Sequence, residues 1–241
     1  MPIHTQAIDL PGKSAYTKEF SVSLRAITPV EVKYIISLAN KQQKDNKDYI
    51  NFLKRLVIFS NPEMTFEELY WFDVQYILYR IRFLTYTRYP LKLNFDCSEC
   101  GEKIKVELDM SSLNILEPTD IEGRTDTITL DNLGEVHIRN KIMRDDLEID
   151  EIIRKLHLDD DPYTRLLLLD LCLISDGKYL MDLWKLAEDG TITPQDIMTI
   201  EEWFVKNVWG VKEEILVRCP KCGKEETREF TLPLEAFFSV F

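Results

Sequence analysis

Two short cysteine knuckles constrain this chain more than any other feature of its sequence. The first is Cys97-Ser-Glu-Cys100-Gly101 and the second is Cys219-Pro-Lys-Cys222-Gly223. Alternating apolar and polar residues flank both: Leu91–Phe95 and Ile104–Met110 around the first, Glu214–Arg218 and Thr227–Leu232 around the second. A period of two marks a half-buried strand, so each knuckle reads as the turn of a hairpin. Two thiolates separated by two residues can share one ion while the backbone N–H groups between them turn toward sulfur. The glycine after the second cysteine supplies the positive φ that closes the turn. Four such sulfurs satisfy a tetrahedral Zn2+ and leave no open position. The pattern predicts one structural zinc ion held by Cys97, Cys100, Cys219 and Cys222.

Other uses of paired cysteines fit less well. A disulfide framework belongs to a secreted chain, and Met1–Gln6 has neither the basic nor the apolar region of a secretory leader. A redox Cys-x-x-Cys usually opens a helix, whereas strand-like segments flank these. A ribbon that has lost its metal would have lost ligands, and all four are present. Cys172 sits in an apolar run and reads as a core residue rather than a fifth ligand. The difficulty is the 118 intervening residues, 101–218, because a compact ribbon spaces its knuckles by roughly 15–20. The fold class expected is therefore α+β. It has a mainly helical body and a zinc-ribbon β platform split into halves, 91–110 and 214–241, with 111–213 inserted between them.

The rest of the chain has local punctuation. Residues 1–27 read as an extended arm, with Glu19–Arg25 alternating as a strand. Residues 28–90 read as helical. Thr28-Pro-Val-Glu31 and Thr65-Phe-Glu-Glu68 are capping boxes, the first opening a helix with Val32, Ile35, Ile36 and Ala39 on one face. A second helix is expected over 48–59 and a long aromatic one over 66–86. Leu69, Phe72, Tyr76, Tyr79 and Phe83 form its core stripe, with Tyr70, Trp71 and Tyr86 off that line as candidate interface anchors. In the insertion, Thr127–Leu130 and Glu135–Arg139 flank a turn and read as a hairpin. Helices follow at 145–157, 162–175, 180–187 and from Thr193-Pro-Gln-Asp196 to about Val208. The apolar end Leu234–Phe241 is expected to dock on its own core or on a partner.

Charge and motif searches narrow the function. The formal net charge is −12, from 30 Lys and Arg against 42 Asp and Glu. Proteins that grip nucleic acid usually show a basic face, so the balance argues against that role. Even so, Arg218, Lys221, Lys224 and Arg228 make the second knuckle locally basic. The alternative function is accordingly a zinc-ribbon accessory factor of transcription or replication. No apolar run reaches the roughly 20 residues of a membrane helix, so a soluble chain without membrane insertion is expected. There is no Gly-rich phosphate loop. His4, His137 and His157 form no ligand or catalytic spacing, and Asp159–Asp161 before Pro162 reads as a helix start rather than a calcium loop. A non-enzyme with no small-molecule substrate is expected.

The layout Asp9-Leu-Pro-Gly-Lys-Ser-Ala-Tyr16, a strand, Leu24-Arg-Ala-Ile-Thr-Pro-Val-Glu31, the aromatic segment and the two knuckles resembles the baseplate hub and baseplate-assembly proteins of T4-like contractile-tailed bacteriophages. The resemblance implies a structural or assembly component of the tail baseplate, in hub or wedge, whose partners are other tail or baseplate proteins. It also implies a location in the virion or, during assembly, in the host cytoplasm.

Overall fold

Val22 and Leu24 alternate with polar neighbours, and each face of that strand finds a use. In the computed structural model, which describes residues 5–39, 46–87, 89–109, 113–118, 125–158 and 161–232, β2 (Val22–Arg25) lies between β1 (Thr5–Ile8) and β3 (Val57–Phe59) in an antiparallel sheet. Ile8, Leu10, Val22 and Leu24 are buried in the principal core. The described part of the segment expected as an arm is thus folded onto the body, because its alternate apolar residues form a face that needs cover.

α1 (Pro29–Ala39) starts at the expected box: Thr28 N–H donates to Glu31 Oε2 at 2.9 Å. Arg25 adds a fork to the same carboxylate at 2.6 and 2.9 Å. The buried face carries Ile35 and Leu38, whereas Ile36 is exposed. α2 (Asn46–Lys54) stops short of the expected end, since Val57–Phe59, β-branched and aromatic, leaves the helix to complete the sheet on β2.

The long aromatic helix is broken in two. The capping box at Thr65 and Glu68 forms, but it opens only a 3₁₀ turn, Phe66–Glu68. Leu69 and Tyr70 are extended, and α3 begins at Trp71 and runs to Thr85. The cause is tertiary. Tyr70 bridges Ile142, Trp71 N–H donates to Lys141 O at 3.0 Å, and Met143 N–H donates to Leu69 O at 2.9 Å. The stripe is core as expected: Leu69, Phe72 and Tyr79 are buried, with Tyr76 and Phe83 packed against the core. The aromatics off that line are engaged within the molecule. Tyr70 meets Tyr16 and Trp209, Lys141 Nζ lies 4.6 Å from the Trp71 ring centre, and the Arg82 guanidinium lies 4.2 Å from that of Tyr86.

The hairpin of β4 (Leu91–Asp96) and β5 (Lys103–Leu108) follows α3. The chain then leaves through β6 (Asn114–Leu116) into a hairpin, β7 (Thr125–Leu130) with β8 (Gly134–Arg139), and four helices. These are α4 (Met143–Leu156), α5 (Pro162–Leu171), α6 (Leu180–Glu188) and α7 (Pro194–Lys206). His157 closes α4 in the left-handed conformation at φ 52°. Asp161 caps α5 by accepting from the N–H groups of Tyr163 and Thr164. Thr193 and Asp196 form the box of α7. Leu130, Val136, Ile138, Ile149, Leu168, Leu183 and Ile200 are among the residues of a second core.

The chain returns through β9 (Gly210–Lys212), which pairs antiparallel with β6, and so the outgoing and incoming strands meet. Gly210 has φ +85°, and a Cβ there would lie 2.9 Å from Phe72 O, so only glycine lets β9 approach α3 this closely. A last hairpin, β10 (Glu214–Arg218) with β11 (Glu225–Glu229), completes the described fold. Among the described residues, seven α-helices and small antiparallel sheets make a mixed α/β protein. The terminal stretch Leu234–Phe241, His4, Asp159, Asp160 and most of the polar stretch 40–47 lie outside the described residues.

Candidate metal centre

Each knuckle is the tip of one hairpin, and both tips are built alike. Cys97 N–H donates to Glu102 O at 2.9 Å and Gly101 N–H to Cys97 O at 3.0 Å. Cys219 N–H donates to Lys224 O at 2.8 Å and Gly223 N–H to Cys219 O at 3.0 Å. Gly101 and Gly223 hold φ at +67° and +76°, where a side chain is strained. Alternation along β4, β5 and β10 turns Phe95, Ile104, Val106, Ile215 and Val217 toward the cysteines and makes an apolar jacket around them.

The two tips face one another. The four Sγ atoms lie within 4.8 Å of each other, with Cys97 to Cys222 and Cys100 to Cys219 each at 3.6 Å. All four are free thiols. A tetrahedral zinc with sulfurs at about 2.3 Å places them about 3.8 Å apart, so the donor set fits such an ion in number, type and spacing. The backbone N–H of Cys222, aided by that of Lys221, pulls the Cys219 thiol down to about 6 against the opposing effect of burial. Cys222, despite the lowering contact with the Lys224 backbone, is pushed up to about 12 by burial and by the neighbouring thiols, so that without an ion the quartet holds its protons unequally. Thiolate is the form a metal takes. The structure therefore brings together all four cysteines singled out by the knuckle pattern and leaves Cys172 in the second core, where burial raises its thiol well above the usual range.

The hairpins are also tied directly. Ser98 Oγ donates to Glu226 Oε2 at 2.7 Å, Lys224 Nζ to Ser98 Oγ at 2.7 Å, and Arg228 Nη2 to Asp96 O at 2.7 Å. Each basic residue of the second knuckle faces an acid of the same platform: Arg218 with Glu225, Lys221 with Glu102, Lys224 with Glu99, and Arg228 with Glu226.

A second constellation escaped the sequence reading. Asp73 is fully buried at the start of α3, where its carboxylate accepts from Gly12 N–H at 2.8 Å, Tyr16 Oη–H at 2.7 Å and Trp209 Nε1–H at 3.3 Å. The Tyr16 oxygen in turn accepts from Tyr70 N–H at 3.0 Å. Burial pushes the Asp73 carboxyl up to about 6, against the lowering effect of its donors. A raised, buried carboxyl can mark an acid catalyst. Here three donors from the protein occupy it and no face is open to a substrate, so its role is to clasp chain segments. The sequence signals were the Leu-Pro-Gly turn and the Tyr16 that follows it, but nothing local pairs them with residue 73.

A family model described as T4 bacteriophage base plate protein matches residues 1–160, a span that contains the clasp residues Gly12, Tyr16 and Asp73 and the first knuckle. No curated protein and no solved structure matches the chain.

Proposed function

The chain belongs to the T4 bacteriophage base plate protein family, and from that premise we propose that it is a hub or wedge part of the tail baseplate that works by binding other tail proteins and holds a structural zinc ion. As a member of that family it is a structural component of a phage baseplate, and the match across residues 1–160 is the observation that carries this reading.

The geometry supports it in kind. Three closures join segments distant in sequence: the four thiols, the β6–β9 pair and the Asp73 clasp. Such closures make a rigid body, and a rigid body docks without a large loss of conformational freedom. A zinc ion bound by Cys97, Cys100, Cys219 and Cys222 would supply cross-linking alone, since four sulfurs leave it no position for a substrate. The edge strand β1 could accept a further strand from a neighbour. The alternative of a nucleic-acid ribbon finds no support at the second knuckle, where acids of the same platform face every basic residue.

The test is co-expression with the baseplate proteins of the same phage, followed by size-exclusion chromatography with light scattering. A defined complex with at least one of them is expected. A chain that stays monomeric in the presence of all of them overturns the proposal.

A further inference from the structure

The two hairpins of the cysteine platform are fastened twice. One fastening is the thiol quartet. The other is polar and needs no ion: Ser98 Oγ donates to Glu226 Oε2, Lys224 Nζ to Ser98 Oγ and Arg228 Nη2 to Asp96 O, each at 2.7 Å. Ile104 of β5 and Val217 of β10 are buried in one cluster beside the cysteines. These contacts hold the tips opposed without help from a metal.

Within the quartet, the sulfur contacts run from one hairpin to the other. Cys97 Sγ lies 3.6 Å from Cys222 Sγ, across 125 positions of sequence. Cys100 Sγ lies 3.6 Å from Cys219 Sγ, across 119. Bonded sulfurs are about 2.05 Å apart, so each pair has to close by about 1.5 Å. Cys222 is exposed and open to a small reagent, whereas Cys97 and Cys219 are buried.

We propose that the platform is a redox-convertible clasp, in which a small peroxide oxidant replaces the shared ion with two disulfides across the hairpins, Cys97–Cys222 and Cys100–Cys219. This deepens the zinc part of the function proposed above and rests on its four-thiol site. The Cys222 thiolate attacks one oxygen of hydrogen peroxide: an S–O bond forms, the O–O bond breaks and hydroxide leaves, giving a sulfenic acid. The Cys97 thiolate then attacks that sulfur: the S–S bond forms, the S–O bond breaks and a second hydroxide leaves. Cys100 and Cys219 use a second peroxide in the same way. Four thiolates are oxidised, two peroxides are reduced, and four protons from solvent turn the hydroxides to water. No thiolate then remains to hold a metal, and the closure is covalent. Thiols persist in a reducing cytosol and disulfides at virion surfaces. A part of a virion that meets both in turn keeps the same closure in each.

The test treats the purified full chain, with the metal it carries, with about two equivalents of hydrogen peroxide. Thiols are counted by alkylation after unfolding, disulfides are mapped by peptide mass spectrometry, and released metal is read with a colorimetric chelator. One of the five thiols should survive, that of Cys172 in the second core. The linked peptides should be Cys97 with Cys222 and Cys100 with Cys219, and metal should be released in step with them. In excess chelator the oxidised chain should melt about 5–10 °C above the reduced one. Disulfides within the knuckles, disulfides between chains, thiols that resist excess peroxide, or no gain in melting temperature overturns the proposal. If metal is bound but the bonds fall within the knuckles, the clasp fails and the zinc reading stands. If the chain carries no metal and still forms both bonds across the hairpins, the zinc reading fails and the disulfide pairing is retained.

Discussion

Tyr16 donates its phenolic hydrogen to Asp73 at 2.7 Å, across 57 residues of sequence, while its oxygen accepts from the backbone of Tyr70 at 3.0 Å. One hydroxyl thus holds the N-terminal segment against both the start of α3 and the residue that breaks the helix before it. Trp209 reaches the same carboxylate from the far end of the insertion at 3.3 Å. Three parts of the chain meet on one buried side chain.

Asp73→Ala should therefore cost about 3 kcal/mol of unfolding free energy, because it leaves three buried donors without an acceptor. Tyr16→Phe should cost about 1–2 kcal/mol. The two effects should not add, since both variants remove the same contact, and a double-mutant cycle by urea unfolding should show coupling of about 1 kcal/mol. Strict additivity would show that the clasp does not act as a unit.

Asp73 also sets a pH dependence. Burial raises its folded-state pKa from 3.8 to about 6. In that window the folded protein holds a proton that the unfolded chain has released, so this contribution is fully present below about 4 and is lost as pH rises through 6. Its size is on the order of 3 kcal/mol. Unfolding midpoints measured between pH 4 and 7 should fall with pH more steeply in the wild type than in Asp73→Asn. Parallel curves for the two proteins would refute the assignment.

Gly12 is required for space and not for conformation. Its φ is −82°, an ordinary value, but a Cβ would lie 2.4 Å from Trp209 Nε1 and 2.5 Å from Asp73 Oδ2. Gly12→Ala should destabilise by about 2 kcal/mol through overpacking. It should also change the fluorescence of Trp209, one of four tryptophans in the chain. Gly12→Ala combined with Asp73→Ala should recover part of the loss, because one of the two clashing side chains is then gone.

Purified protein should contain about one zinc per chain by elemental analysis, with one tetrahedral four-thiolate site. Cys→Ser at any of positions 97, 100, 219 or 222 should abolish stoichiometric metal and lower the melting temperature, and a strong chelator should do the same to the wild type. Cys172→Ser should retain metal. Well-folded wild type without metal would refute the site.

The thiol quartet and most helix starts are legible in the residues themselves. A Cys-x-x-Cys-Gly between alternating strands acts over a few residues, and so do the boxes at Thr28, Thr65 and Thr193. Their energetics are local, and short-range pattern suffices to find them. Where the reading differed from the structure, a distant segment had intervened. The helix expected over 66–86 breaks at Leu69–Tyr70 because their backbone is taken by Lys141, Ile142 and Met143. The helix expected to reach 59 yields Val57–Phe59 to β2.

Amino-acid order alone thus marked the four cysteines that come together, the strands that carry them and the family layout of the N-terminal segment. It did not show how 118 residues can separate the knuckles and yet leave their sulfurs 3.6 Å apart. That outcome depends on the pairing of β6 with β9, on Gly210 pressed against Phe72, and on a buried carboxylate shared by Gly12, Tyr16 and Trp209. Those contacts join residues with no local relation to one another. They form only when apolar surface from distant segments is buried together, and periodicity along the chain carries no record of which distant partner will be there.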